Sequence, residues 1–229
     1  MTQEQQMAAS GTGKTRVLIV DDHAVVRAGI AAVVAAEPDM EVCGEAANAN
    51  EALRLVETLQ PDIAILDLGL DDSSGFSLLK DMQSRGSPTK VLVVSGRDET
   101  LYAHRCVRAG AFGFLNKGLA LEEIVEGIHR VRDGGYCLGA TVTAEILGSV
   151  SSRPGTSDAE QVQGLSDREL QVYEAIGAGL SVKEVAARLT LSPKTVDTYR
   201  TKIKQKLGLN SSQLLARHAV LWASEQMRS

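Results

Sequence analysis

The chain has 229 residues, 44% of them hydrophobic and 23% charged, so we expect one or two domains with a sizeable core. Three well-separated cysteines without metal-ligand spacing favour reduced thiols, as in a cytoplasmic protein. The apolar stretches are too short to cross a bilayer and residues 1–10 lack the apolar segment of a signal peptide, so we expect no membrane partner.

The net charge of −5 is unevenly distributed along the chain. Basic side chains outnumber acidic ones from Glu160 to the C-terminus, whereas the preceding part is acidic. This asymmetry suggests that the two parts have different partners. Residues 1–15, before the first apolar run, are expected to be a disordered N-terminal extension.

From residue 16 to 135 the chain alternates between short apolar runs and amphipathic stretches. Each run is β-branched and lacks polar alternation, which is typical of a parallel strand buried on both faces. Five strands alternating with five helices predict an α/β domain with a doubly wound, parallel, five-stranded sheet of the flavodoxin-like type. The predicted strands are 17–20, 41–45, 63–66, 91–94 and 112–115. The predicted helices are 23–36, one after Asn48, one from about Gly75, 101–109 and 121–132.

A linker and a small all-α domain are predicted after the sheet. Residues 136–163 are expected to be the linker, because 149–163 are rich in Ser, Gly and Gln, and 141–148 have the pattern of one short helix. Residues 164–229 contain helical stretches that begin with residues suited to helix capping. A short helix, a tight turn and a longer basic helix form a helix-turn-helix pattern. The predicted caps are Ser166, Ser181, Ser192 and either Asn210 or Ser211.

Three carboxylates follow two of the predicted strands. Asp21 and Asp22 come directly after 17–20, and Asp67 comes directly after 63–66. The carboxyl ends of parallel strands meet at one edge of a sheet, so the three acids should converge. Two like charges about 4 Å apart repel by roughly 4 kcal/mol at an effective dielectric near 20, so we expect a cation among them. Oxygen ligands suit Mg²⁺; the alternative is three separately solvated acids.

The same edge should carry two further polar side chains, Ser95 and Lys117, each at the end of a predicted strand. Together with the three acids, this ordered set resembles the receiver domains of two-component response regulators. The resemblance implies that a sensor histidine kinase phosphorylates Asp67. It also implies a Mg²⁺ site, and its ligands would be Asp21, Asp22, Asp67 and the backbone carbonyl of Gly69.

The receiver resemblance also assigns roles around the phosphoryl group. Lys117 would pair with one phosphoryl oxygen as a point charge. Ser95 would move to donate its hydroxyl to another, and Phe114, at the family's aromatic switch position, would shift inward. Gly75 falls at the family's loop glycine. Asp71 stands where the family usually has a proline, which puts the mobility and charge of that loop in doubt.

The third helix of the C-terminal part has two different faces. If Val196 points inward, Tyr199, Ile203 and Leu207 share its stripe and should pack on the preceding helices. The opposite face is short-polar and basic, as expected for a helix in the major groove of DNA. On composition alone, a solvated surface helix is an equal alternative.

The segment 191–200, LSPKTVDTYR, followed by Lys206-Leu207-Gly208, resembles the helix-turn-helix of LuxR-type regulators. With the receiver pattern before it, the chain from residue 16 to about 227 is similar to NarL/FixJ-family response regulators. This resemblance implies base contacts from around Asp197, Thr198 and Thr201. The residues implied to contact DNA phosphates are Lys194, Thr195, Arg200, Lys202 and Lys204.

As a whole, the resemblance implies a transcription regulator and not an enzyme with turnover, although self-dephosphorylation is compatible with it. The implied partners are a sensor histidine kinase, double-stranded DNA, a second copy of the chain on activation and, as a further candidate, RNA polymerase. The last helix, with Leu214, Leu215 and Trp222, is a candidate dimer surface; internal packing is the equal alternative.

Two other functions compete with this interpretation. An aspartyl-phosphate hydrolase of the haloacid dehalogenase type also uses strand-end aspartates and Mg²⁺. Its signature needs a second acid two residues after the nucleophile, whereas His23 stands two residues after Asp21. A receiver that acts by protein contact, with a tail that binds RNA polymerase and not DNA, is the second alternative.

Overall fold

A computed structural model describes residues 13–70, 75–140, 142–144 and 158–226. The chain divides into two compact units, Met1–Val150 and Ser151–Ser229. Among the described residues, no helix combines the length and apolar character that a membrane crossing requires.

The N-terminal unit is a parallel sheet with its strands in the order β2-β1-β3-β4-β5, which confirms the predicted fold class. All five predicted strands and all five predicted helices of this unit form within a few residues of their expected positions. The strands are β1 (Thr15–Val20), β2 (Met40–Ala46), β3 (Ile63–Leu66), β4 (Lys90–Ser95) and β5 (Gly113–Asn116). The helices are α1 (Ala24–Ala36), α2 (Ala49–Leu59), α3 (Gly75–Ser84), α4 (Glu99–Arg108) and α5 (Leu121–Arg132).

Both faces of the sheet are buried, which explains why the strands are apolar without alternation. One set of alternate residues, including Val17, Ile19 and Ile63, packs with Ile30 of α1 and Ile128 of α5 in a single core cluster. The intervening residues Leu18 and Val20 of β1 and Ala64 and Leu66 of β3 are also buried. Helices therefore fix the sheet from both sides.

The strand register sets the functional edge. Val20 of β1 is paired with Leu66 of β3, so Asp21 and Asp67 follow their strands side by side. The backbone N–H of Asp67 donates to the carbonyl of Val20 at 2.9 Å, which continues the ladder past the last strand residue. Ser95 closes β4 on the other side of β3.

The segment after α5 packs on the edge strand β5. The region predicted as a linker therefore begins with residues that pair with the sheet. The N–H of Cys137 donates to Phe112 O, and the N–H of Phe114 donates to Cys137 O, both at 2.9 Å. The N–H of Gly139 donates to a carboxylate oxygen of Glu99 at 2.9 Å. An edge strand leaves backbone groups unpaired, and this segment satisfies them.

The C-terminal unit consists of helices, as predicted, and one of them lies within the predicted linker 136–163. Val162 in that helix is fully buried, so the last part of the predicted linker folds. Within the short helix expected at 141–148, residues 142–144 are helical, and 141 and 145–148 lie outside the described residues. The helices are α6 (Asp158–Gln163), α7 (Asp167–Gly177), α8 (Val182–Arg188), α9 (Pro193–Lys206) and α10 (Ser212–Gln226).

The predicted caps hold these helices. Ser166 and Ser181 each form a complete capping box with the glutamate three residues later. The side chain of Ser192 accepts from the N–H of Thr195, and Pro193 opens α9. Ser211 caps α10, since its hydroxyl oxygen accepts from Leu214 N at 3.1 Å.

The core of the C-terminal unit forms where α7 packs on α9 and α10. Tyr173, Val196 and Ile203 are fully buried there. Leu215 is also fully buried, whereas Leu214 is exposed. Of the three residues proposed as a dimer surface on the last helix, Leu215 therefore belongs to the internal core.

Candidate functional site

The three predicted acids converge at the carboxyl edge of the sheet. Asp21 and Asp67 are buried, and Asp67 is only 4% exposed. One oxygen from each of Asp21, Asp22 and Asp67, with a ring nitrogen of His23, lies within 4.8 Å of every other member of the group. We call Asp21, Asp22 and Asp67 the acidic pocket.

Lys117, directly after β5, enters the acidic pocket as its cation. Its Nζ lies 2.6 Å from Asp21 Oδ2 and 2.7 Å from Asp67 Oδ2. Burial lowers the pKa of Lys117, but the hydrogen bonds and charges of the two aspartates outweigh that effect, so the pKa is raised. Lys117 is therefore a charged group that offsets part of the repulsion between the acids.

Ser95 occupies the other oxygen of Asp67. Its hydroxyl donates to Asp67 Oδ1 at 2.9 Å, and both side chains are buried. Each carboxylate oxygen of Asp67 thus accepts a hydrogen bond from the end of a different strand, Oδ1 from β4 and Oδ2 from the residue after β5.

Both predicted switch residues lie inward in this structure. Phe114 is fully buried in β5, and Ser95 is already within hydrogen-bond distance of Asp67. That Ser95 moves toward the phosphate and Phe114 shifts inward on phosphorylation stays a prediction.

Two glycines keep space around Asp67. A Cβ on Gly69 would lie 3.1 Å from Asp67 Oδ2, so any side chain there would crowd the carboxylate. A Cβ on Gly75 would overlap the backbone carbonyl of Asp67, so only glycine lets α3 begin this close to the strand end. The Asp71 position lies outside the described residues.

The acidic pocket fits a hard divalent cation. Three carboxylates against one ammonium leave excess negative charge. One oxygen of each carboxylate lies within 4.8 Å of the other two, so a single cation could contact all three side chains. Oxygen donors of this kind are the ligands that Mg²⁺ prefers.

Two residues that sequence reasoning did not assign to the pocket also contact it. His23 Nδ1 lies 2.6 Å from Asp22 Oδ1, and the charge and hydrogen bond of Asp22 raise the pKa of His23. Arg27, from α1, donates from Nη1 to the backbone carbonyl of Asp21 at 2.6 Å. The position of His23 directly after two aspartates was the available signal; Arg27 carried none, because its target is a backbone atom.

The second predicted site lies on α9. As predicted, this helix has one buried side and one exposed side. Val196 and Ile203 are buried, while five predicted DNA-contacting residues are exposed. We call these five the exposed face of α9. Thr195, Arg200 and Lys204 are partly buried at its margins. The exposed face of α9 consists of Lys194, Asp197, Thr198, Thr201 and Lys202.

Comparisons with known families match both units. The response regulator receiver domain matches residues 17–129, and the luxR family of bacterial regulatory proteins matches residues 163–219.

Two relatives resemble nearly the whole chain. The virulence factors transcription regulator BvgA of Bordetella pertussis is 34% identical over 86% of this chain and 92% of its own. The DNA-binding transcriptional activator DevR/DosR of Mycobacterium tuberculosis is 30% identical over 93% of this chain and 96% of its own. A crystal structure of the response regulator ChrA, from a heme-sensing two-component system, is 27% identical, covers 92% of this chain and 98% of its own, and has a TM-score of 0.50.

Proposed function

The chain belongs to the two-component response regulators that join a receiver domain to a luxR-type DNA-binding domain and regulate transcription; on this basis we propose that a sensor histidine kinase phosphorylates Asp67. The observation that carries the proposal is the buried Asp67 carboxylate with a serine hydroxyl on one oxygen and a lysine ammonium on the other. No other described carboxylate in the acidic pocket receives donors from two strand ends.

The chemistry is a phosphoryl transfer to a carboxylate. A carboxylate oxygen of Asp67 forms a bond to phosphorus as the bond between phosphorus and the kinase histidine nitrogen breaks, and that nitrogen keeps the electron pair. Ser95 and Lys117, which now donate to Asp67, then donate to the phosphoryl oxygens. Both donors lie beside the acceptor before the reaction, one on each carboxylate oxygen.

A divalent cation bound in the acidic pocket would complete the charge balance of this step. Asp21, Asp22, Asp67 and the carbonyl of Gly69 would hold Mg²⁺, which offsets the charge that develops on the phosphoryl oxygens. Arg27, bonded to the backbone of Asp21, fixes the loop that carries two of these acids.

We further propose that the phosphorylated protein binds promoter DNA as a dimer through the exposed face of α9. The basic residues of this face, Lys194 and Lys202, suit DNA phosphates. The relative DevR/DosR is a DNA-binding transcriptional activator. On α10, Leu214, Val220 and Leu221 are exposed and apolar, which supports this helix as the contact between two copies.

Labelling with a small phosphoryl donor such as acetyl phosphate tests the acceptor. The wild-type chain should take up one phosphoryl group per molecule in the presence of Mg²⁺, and Asp67→Asn should take up none. Asp81→Asn is the matched control, because Asp81 is an exposed aspartate on α3. Persistent labelling of Asp67→Asn would contradict the assignment, and repeated turnover of a phosphate ester would favour the hydrolase alternative.

Protection of duplex DNA tests the output. The labelled wild-type chain should protect paired half-sites about 34 Å, or a multiple of that, apart. Protection should weaken steeply as salt rises, because phosphate contacts release counterions. Binding to RNA polymerase without any duplex protection would instead support the protein-contact alternative.

A further inference from the structure

The middle of the exposed face of α9 offers hydrogen-bond acceptors but few donors. The hydroxyl of Thr198 donates to Lys194 O, and that of Thr201 donates to Asp197 O, both at 3.0 Å. A hydroxyl whose proton is used inside the helix presents only its oxygen to a partner. An ionised aspartate carries no donor in any rotamer. Three neighbouring side chains therefore present acceptors to whatever lies against this turn.

Donors on the same face of α9 flank these acceptors. Lys194 is one turn before the acceptors, whereas Lys202 directly follows Thr201 and Gln205 lies one turn further, and all three are exposed. The pattern along the helix is thus a donor, then the acceptors, then Lys202 as a donor and Gln205 as both donor and acceptor. This order matters because the base edges in a major groove differ in the donors and acceptors that they present.

An acid on a DNA-binding face needs compensation, because DNA phosphates repel it. Arg200 provides it: its Nη1 lies 3.1 Å from Asp197 Oδ1. The Arg200 side chain is 23% exposed and that of Asp197 is 62% exposed, so the arginine supports the carboxylate from its inner side. The carboxylate remains free to accept a further hydrogen bond at its outer side.

We propose that Asp197 determines the base preference of this chain by accepting a hydrogen bond from the N4 amine of a cytosine in the major groove, with Arg200 as its positioning residue. The inference rests on the proposed DNA binding. Cytosine is favoured over adenine because adenine presents the acceptor N7 beside its amine, whereas cytosine presents only the donor. Guanine and thymine present acceptors there and would repel the carboxylate.

Selection from a randomised duplex library tests the proposal, with the full chain phosphorylated by acetyl phosphate. The wild type should enrich cytosine at one position of each half-site, and changing that base should weaken binding about tenfold. Asp197→Asn should lose this preference in favour of adenine, because a carboxamide can donate to N7 and accept from N6. Circular dichroism should show that Asp197→Asn folds like the wild type, because Asp197 is exposed.

Lys202→Gln is the matched control on the same face. Loss of one phosphate contact in each copy of the dimer should weaken binding to all sequences alike and reduce the magnitude of the salt-dependence slope by about 1.8, with the cytosine preference intact. If Asp197→Asn keeps the cytosine preference, the inference is overturned while the proposed DNA binding stands. If the wild type enriches no sequence and protects no duplex, the proposed function itself fails.

Arg200→Gln separates the positioning role from a phosphate contact. A positioning role predicts a weaker cytosine preference with an unchanged salt slope. A salt slope lowered as in Lys202→Gln, with the cytosine preference intact, would show that Arg200 binds phosphate and would overturn its positioning role.

Discussion

The acidic pocket, together with Ser95 and Lys117, takes its side chains from the ends of four strands, whereas the exposed face of α9 lies on successive turns of one helix. Asp67 and Ser95, for example, are distant in sequence, buried and already hydrogen-bonded to each other. Residues of the α9 face are close in sequence and solvent-exposed, and Thr198 and Thr201 bond only within their own helix. The pocket therefore depends on the packing of the whole sheet, while the α9 face depends on the few side chains that hold one helix in place.

The largest effect is expected from crowding the pocket. In Gly75→Ala, the new Cβ overlaps the carbonyl of Asp67, so α3 or the strand end must shift. We expect the N-terminal unit to lose about 3 kcal/mol of stability in urea unfolding followed by circular dichroism. Acetyl phosphate labelling should fall as well, because Asp67 moves away from Ser95 and Lys117.

Gly96→Ala is the control for this change, since a Cβ there meets no atom within 4 Å. The fluorescence of Trp222, the chain's single tryptophan, reports the C-terminal unit and should show the same transition in both variants. Equal stability of the two variants by circular dichroism would show that the start of α3 does not restrain the pocket.

The second substitution, Glu169→Gln, weakens the contact between α7 and α9. Glu169 is a buried acid whose carboxylate accepts from Ser166 N at 2.7 Å and from Lys206, at the end of α9, at 2.6 Å. Glu169→Gln keeps an acceptor for the capping box but removes the charge that holds Lys206. We expect a loss of about 1–2 kcal/mol, measured by Trp222 fluorescence in urea.

Glu184→Gln is a matched control, because Glu184 forms the same capping box with Ser181 at an exposed site. Its effect should be clearly smaller than that of Glu169→Gln. Equal effects would mean that the ion pair between Glu169 and Lys206 adds no stability beyond that of the capping box.

The sequence predicted the pocket better than its surroundings, for a physical reason. Asp21, Asp67 and Lys117 follow strands that short apolar runs predicted, and the strand ends of a parallel sheet meet at one edge, so these runs placed the three residues together. Cys137 forms a single bridge to β5, and one pair has no periodicity to detect. Among the described side chains of α6, Val162 is buried, and this single residue in a polar stretch is too little for an amphipathic pattern.

On α9, the sequence predicted the side of the helix but not the pairing of its side chains. The family resemblance assigned Asp197 to a base contact and Arg200 to a phosphate contact separately. Their ion pair depends on rotamers, which a helical wheel does not contain.

Acid should affect the wild type and Glu169→Gln differently. Burial raises the pKa of Glu169, but the hydrogen bond from Lys206 outweighs it, so the folded pKa lies below its ordinary 4.5. The lowered pKa stabilises the fold above about pH 4.5, and this contribution is lost as pH falls through the folded value. The stability advantage of the wild type over Glu169→Gln should therefore shrink below pH 4.5 in Trp222-monitored unfolding. A constant difference from pH 7 to pH 3 would contradict the lowered pKa.

The smallest effect is expected in the segment after α5, which belongs neither to the acidic pocket nor to the exposed face of α9. The N–H of Gly139 donates to the Glu99 carboxylate. In Glu99→Gln, the side-chain amide oxygen can still accept this hydrogen bond but carries no negative charge. We expect a local loss of about 0.5 kcal/mol, seen as roughly twofold faster hydrogen exchange of the Gly139 amide. The Phe114 amide, bonded to Cys137 O, is the internal control and should exchange at an unchanged rate. If both amides speed up together, the segment opens as one cooperative unit anchored by Glu99, and the bond to Gly139 is not an independent contact.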